Sequence, residues 1–194
     1  MQLNPEQRFA VDLHLFGRGV HYEAYRFLGG RRVQQEGVWG VRFTVWAPSA
    51  ERASVVGDFN FWNSESHPMQ MLGSSGVWER FVPGLDLGEK YKFVITARSG
   101  QKFYKTDPYA FRMEERPKTA SIVADVERFA WSDRDWMEKR RQGVLKPHPI
   151  NIYEVHGNSW RKPYGKTLNY RELALELADY CTEMGYTHVE FLPL

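Results

Sequence analysis

The side chains with the most chemical promise in this sequence are aromatic. They make up 15% of the residues, and seven of them are Trp. Pyranose rings present C–H faces while their hydroxyls point outward, and Trp or Tyr answers with an apolar body and a polar edge. The composition permits sugar binding without establishing it. Other chemistry is sparser. His156 and His188 have no partners at ligand spacing, so no metal role is expected. A single cysteine, Cys181, excludes an internal disulfide and any Cys-based metal cluster, and it reads as a small core residue. The nearest thing to a basic run is Lys139-Arg140-Arg141 in a chain of net charge +2, which reads as a solvated helix end rather than a nucleic-acid patch.

These residues need elements to hold them. Residues 1–38 form a mixed N-terminal segment ending shortly after Gly29-Gly30. From 39 to 126 the texture is all-β. Val41–Val45 alternates apolar and polar residues, as do Val77–Val82 and Lys90–Thr96. The last of these puts Tyr91, Phe93 and Ile95 on one face and Lys92, Val94 and Thr96 on the other. Ala53–Val56, Lys102–Lys105 and Thr119–Val126 supply further strands between turn signals. Short strands at this spacing predict an immunoglobulin-like β-sandwich.

Residues 127–149 read as a connector. Ser132-x-x-Asp135 resembles a capping box opening a helix that runs through Arg141, and Lys146-Pro-His-Pro149 reads as a stiff linker. Trp131 and Trp136 flank that helix and are placed to pin it against a domain. Trp46 and Trp78 read as structural members of the sandwich. After the linker, residues 150–194 change texture. Asn151–Ser159 and Tyr186–Leu194 read as buried strands around a helix capped by Asn169-x-x-Glu172 and closed by Gly185. Its apolar stripe is Tyr170, Leu173, Ala174, Leu177, Cys181 and Met184. Two apolar strands joined by a helix belong to a parallel sheet, which needs further elements to cover it. No segment approaches eighteen apolar residues and no signal peptide is apparent, so the chain is expected to be soluble and cytoplasmic.

The order and wording of these pieces resemble the glycogen (1,4-alpha-glucan) branching enzymes of the alpha-amylase superfamily. The resemblance runs through Val45-Trp-Ala-Pro48, then Val55-Val-Gly-Asp-Phe-Asn60 with Trp62, Gly76-Val-Trp78 and Tyr91-Lys-Phe93. It continues through Asp107-Pro-Tyr-Ala-Phe111, Thr119-Ala-Ser-Ile122, Ile152-Tyr-Glu-Val-His156, Ser159-Trp160 and Met184-Gly-Tyr-Thr-His-Val-Glu-Phe-Leu-Pro193. It implies a starch- and glycogen-associated carbohydrate-binding sandwich followed by the first strand, helix and second strand of a catalytic (β/α)8 TIM barrel, truncated there.

The implied reaction cleaves an α-1,4 glucan and re-attaches the freed end through an α-1,6 bond, with retention and no cofactor or metal. The carboxylates that perform it belong to later barrel strands, so no catalytic residue is assigned and this portion alone is expected to be inactive. Glu154 and Glu190 are expected to pair with a neighbouring base or His instead. The resemblance also implies a glycan site at Trp62, Lys92 and Tyr104, with Phe103 one register away, and a possible substrate contact at Trp160. The implied partners are an α-1,4-glucan such as glycogen and the remainder of the barrel, with no nucleic acid or membrane. A non-enzymatic glucan-binding module, a trehalose-releasing hydrolase and a debranching enzyme are the competing readings.

Overall fold

A computed structural model of the chain describes residues 5–142 and 149–193, with the side chains of residues 5–8 left aside. The expected linker Lys146–Pro149 lies, but for Pro149, outside the described residues. The chain divides into two compact units, residues 1–130 and 131–194.

The first unit opens with helix α1 (Pro5–Gly17) and then builds two antiparallel sheets from nine strands. These are β1 (Gly29–Gln35), β2 (Val38–Trp46), β3 (Arg52–Gly57), β4 (Gln70–Met71), β5 (Val77–Pro83), β6 (Lys90–Thr96), β7 (Lys102–Lys105), β8 (Arg112–Met113) and β9 (Ser121–Ile122). One sheet has the order β1-β2-β5-β4. The other runs β3-β6-β9-β8, with β7 sharing the β9 edge of β6. Between them lies a core of Val41, Phe43, Val45, Ala53, Val55, Trp78, Val82, Tyr91 and Phe93, all buried. The period-2 pattern explains it, since each of these residues lies on the inward face of its strand. Trp78 is buried in that core with its indole N–H donating to the Ala47 carbonyl, whereas Trp46 is 55% exposed at the strand end and meets Phe16 edge-on.

The sandwich starts earlier than residue 39. Strand β1 pairs with β2 from Gly29↔Thr44 to Gln35↔Val38. Its sequence, GGRRVQQ, lacks apolar alternation because glycines and arginines make the contacts on its two faces. Gly30 admits the Tyr91 ring, which a Cβ at that position would meet at 2.8 Å. Arg31 lies over the Phe111 ring and Arg32 over Trp39, at 3.8 Å and 4.1 Å. At the other end, the expected strand Thr119–Val126 contracts to the two residues of β9.

A buried polar network links the sheets. Asp107 Oδ2 accepts from the Tyr91 hydroxyl on β6 and from the Gly30 N–H on β1. Its Oδ1 accepts from Tyr109 N–H, and its own N–H donates to Ser121 Oγ on β9. Burial raises the Asp107 pKa above the ordinary carboxylate value despite these hydrogen bonds, and burial also raises the Tyr91 phenol.

In the second unit, helix α2 (Arg134–Arg141) has Asp133, not Ser132, at its N-cap, and no side chain caps it. The expected capping box is absent because the helix begins one position too late for Ser132 to reach its amides. Trp136 and Trp131 are 59% and 76% exposed, and Arg140 lies over the Trp136 ring at 5.5 Å. Strands β10 (Ile152–Val155) and β11 (His188–Phe191) pair in parallel around helix α3 (Tyr170–Met184). Asn169 accepts from Arg171 N–H and Glu172 N–H while Glu172 accepts from Asn169 N–H, and Gly185 adopts φ 73°.

The helix buries Leu173, Leu177 and Cys181 against Val155, but Tyr170, Ala174 and Met184 remain exposed. The two strands are shorter and more open than expected. Ile152 is 52% exposed on one face, and Val189 and Phe191 are 40% and 44% exposed on the other, since one helix reaches only the β10 side. Among the described residues no helix is long and apolar enough to cross a membrane.

Three outcomes follow for stability. Asp107→Ala leaves the Tyr91 hydroxyl without its acceptor and Gly30 N–H with Tyr91 Oη alone, and lowers unfolding free energy by about 2 to 3 kcal/mol, read as a shifted urea midpoint. The folded protein holds the Asp107 proton to higher pH than the unfolded chain does. Its contribution is therefore complete below the ordinary carboxylate pKa and lost as pH rises through the raised value. Asp107→Asn flattens this slope in midpoints collected from pH 3.5 to 7. In native-state hydrogen exchange, β10 and β11 amides exchange faster than those of β2 and β6, and equal protection would refute the packing argument.

Candidate functional site

The second sheet has an outer face as well as a core face. Inward go Tyr91, Phe93 and Ile95, so Lys92, Val94 and Thr96 point outward. Register carries that assignment to the neighbouring strands. Val56 pairs with Lys92 on β3, and Tyr104 and Lys102 pair with Val94 and Thr96 on β7. Paired residues share a face. Tyr104, 53% exposed, therefore lies on the face of Lys92, whereas Phe103, paired with Ile95, lies on the other.

Trp62 belongs to the loop that follows β3. After β3 the chain turns sharply at Gly57, where a Cβ would collide with the Lys90 carbonyl and the Phe59 ring. Phe59 goes inward and stacks on Phe43. Asn60 is buried and ties the turn together. Its Oδ1 accepts from Gly57 N–H, and its Nδ2 donates to the Val55 carbonyl and to His67 Nδ1. That last bond requires a neutral His67, and burial, with Arg80 nearby, indeed lowers its pKa. Phe61 and Trp62 then follow with φ of 53° and 58°. The Trp62 backbone donates to Gly57 O and its indole N–H to Asp58 Oδ1, each at 2.9 Å. Farther along, Lys102 Nζ holds Glu65 Oε1 at 2.6 Å and Ser64 Oγ at 3.0 Å. Since Lys102 is an outer-face residue of β7, the loop is fastened across that face. The Lys102 ammonium also holds the Glu65 pKa below its ordinary value.

Lys92 Nζ donates to Thr119 Oγ1 at 2.7 Å, which aims an ammonium that still has further N–H bonds to give. The face thus carries an oriented ammonium and an exposed Tyr, and the loop fastened across it carries a half-buried Trp on a braced turn. Chemically it can stack on sugar C–H faces and donate to ring hydroxyls.

The remaining candidates lie in the second unit. Trp160 is taken up by packing, with its indole N–H donating to Tyr153 Oη at 2.9 Å, its ring edge-on to Tyr180 and Arg161 above it at 4.3 Å. Glu154 and Glu190 do not find bases. They stand opposite one another across β10 and β11, both exposed, with no ion-pair partner among the described residues. Parallel register forces this, because residues with equal offset from Ile152 and His188 must be neighbours. His156 bonds Ser159 Oγ, and no group of His, Cys, Asp or Glu able to hold a metal occurs among the described residues. Sequence reasoning had no role for Phe61, Asn60 or Asp58. The first is noticeable only through its backbone conformation and exposure.

Residues 28–110 match carbohydrate-binding module 48, the isoamylase N-terminal domain. The 1,4-alpha-glucan branching enzyme GlgB of Protochlamydia amoebophila is 53% identical over 186 residues, which is 95% of this chain and 26% of that protein. The namesake from Nitrosococcus oceani is 50% identical over 192 residues, 98% of this chain and 26% of its own. The chain therefore spans about a quarter of these curated relatives. Among solved structures, the maltotriose complex of the PulA-G680L mutant from Klebsiella pneumoniae superposes with a TM-score of 0.60 at 24% identity, covering 90% of this chain and 21% of that one. That likeness concerns the fold. Taken together, the matches make residues 28–110 similar to carbohydrate-binding module 48 and nearly the whole chain similar to an N-terminal quarter of 1,4-alpha-glucan branching enzymes.

Proposed function

We propose that the outer face of the second sheet, through Trp62, Lys92 and Tyr104, binds an α-1,4-glucan and holds it for an enzyme that cuts such chains and rejoins them by α-1,6 bonds. The observation that carries this reading is the shared face: Lys92 and Tyr104 lie on it by strand register, and the Trp62 loop is fastened across it by Lys102. Trp62 offers a ring to one sugar face, Tyr104 a second ring, and Lys92 donates to hydroxyls between them.

Branching would proceed with retention, through a glycosyl-enzyme formed by one carboxylate while a second protonates the departing oxygen. Neither Glu154 nor Glu190 is given such a role. Both sit on open strands far in sequence from the glycan face, and side by side they lack the differing surroundings that would separate an acid from a nucleophile. The exposed Ile152, Val189, Phe191 and Leu192 suit contact with the rest of a barrel. A cytoplasmic setting fits this reading.

Affinity electrophoresis in glycogen gels tests the face. Trp62→Ala abolishes retardation of the chain, Lys92→Ala and Tyr104→Ala each weaken it roughly three- to tenfold, and an unshifted Trp62→Ala band would sink the assignment. The same chain, incubated with amylose, leaves the iodine-stained spectrum unchanged. Branching by these 194 residues would show that catalytic groups lie within them after all.

A further inference from the structure

Phe61 is 93% exposed, and its backbone lies in the left-handed region at φ 53°, ψ 33°. Trp62 beside it is left-handed as well, at φ 58°. For a bulky L-residue this conformation is uncommon and strained, and it persists only where the surroundings dictate it. Here they do. Asn60 anchors the turn from within, the backbone N–H groups of Phe61 and Trp62 donate to Asp58 O and Gly57 O, and Lys102 fastens the loop beyond. Glycine would satisfy the backbone at lower cost. The chain instead carries its most solvent-exposed phenylalanine there, with no ring contact of its own among the described residues. Phe59, two positions earlier, shows the contrast: it is drawn into the core against Phe43 and His67.

Successive residues in a left-handed turn point roughly 100° apart. Phe61 and Trp62 therefore cannot stack on the same sugar face. We infer that Phe61 extends the glycan site proposed above, its ring taking the C–H face of a glucose unit next in line to the one on Trp62. This rests on the Trp62 face being the glucan site. An α-1,4-linked chain is curved, so neighbouring units turn their faces through an angle, which suits two rings set at an angle better than a flat platform would. Phe61 is then a determinant of chain length. A short oligosaccharide engages Trp62 alone, and a longer one reaches both rings.

The test is calorimetric titration of the full chain with maltotriose and with maltoheptaose. Wild type binds maltoheptaose more tightly. Phe61→Ala leaves maltotriose affinity unchanged and weakens maltoheptaose by about fivefold, the size expected of one aromatic contact, while Phe61→Tyr retains both. Phe61→Gly melts at a higher temperature than wild type and shows the same selective loss, which separates relief of backbone strain from loss of the ring. Equal affinity of Phe61→Ala and wild type for both sugars, or an equal loss for both, overturns the inference while leaving the Trp62 face standing if Trp62→Ala abolishes binding. If Trp62→Ala binds both sugars normally, the face itself is wrong and the inference falls with it.

Discussion

One buried carboxylate determines how the two sheets of the sandwich meet. Asp107 follows β7, yet it accepts from Tyr91 on β6 and from Gly30 on β1, so a single side chain ties one sheet to the other. Such a carboxylate costs free energy to bury, which is the cause of its raised pKa. It repays that cost only when all its donors arrive together, and this is what makes it a constraint rather than mere adhesion. Gly30 must be glycine for the Tyr91 ring to pass, and Ser121 must be near to take the Asp107 N–H. With Tyr91 fixed inward, Lys92 has no choice but to face outward. The polarity of the functional face is thus set from inside the core.

The parts legible in the sequence are those governed by a short period. Alternation in Lys90–Thr96 assigns both faces of β6, and the Asn169–Glu172 box and Gly185 bound α3 to the residue. What escaped is governed by contacts distant in sequence. Strand β1 reads as nothing in particular because glycine and arginine fill it, and their roles depend on Tyr91, Phe111 and Trp39. The Asp107-Pro-Tyr-Ala-Phe segment stood out as wording, but its physical meaning, a cross-sheet bond, needs the fold.

A similar division runs through the candidate site. Trp62, Lys92 and Tyr104 were legible as residue types at matching positions. Their placement relative to one another was not, because it depends on strand register and on Lys102 reaching Ser64 and Glu65. Trp160 looked available for substrate only while its neighbours were unknown. Once Tyr153 accepts its N–H and Tyr180 meets its ring, the indole is structural first. Glu154 and Glu190 illustrate the opposite error. Each alone suggested a partner of opposite sign, whereas parallel pairing sets two like charges side by side. Such a pair is tolerable because both are exposed and screened by solvent.

The division into two units gives these observations a common logic. The first closes its own core, so it can spend conformational energy on a turn that holds two aromatics in left-handed geometry. The second has only a small cluster around Val155, Leu173 and Leu177 and leaves apolar strand faces open. Marginal stability allows strain to be stored only where packing exceeds what folding requires. A preorganised ligand surface therefore belongs on the sandwich, on the face whose outward residues are dictated by the buried Tyr91–Asp107 bond. Weakening that bond should loosen the outer face of this sheet before it unfolds the unit, because the turn at Gly57 rests on the same strand, with Gly57 paired directly to Tyr91.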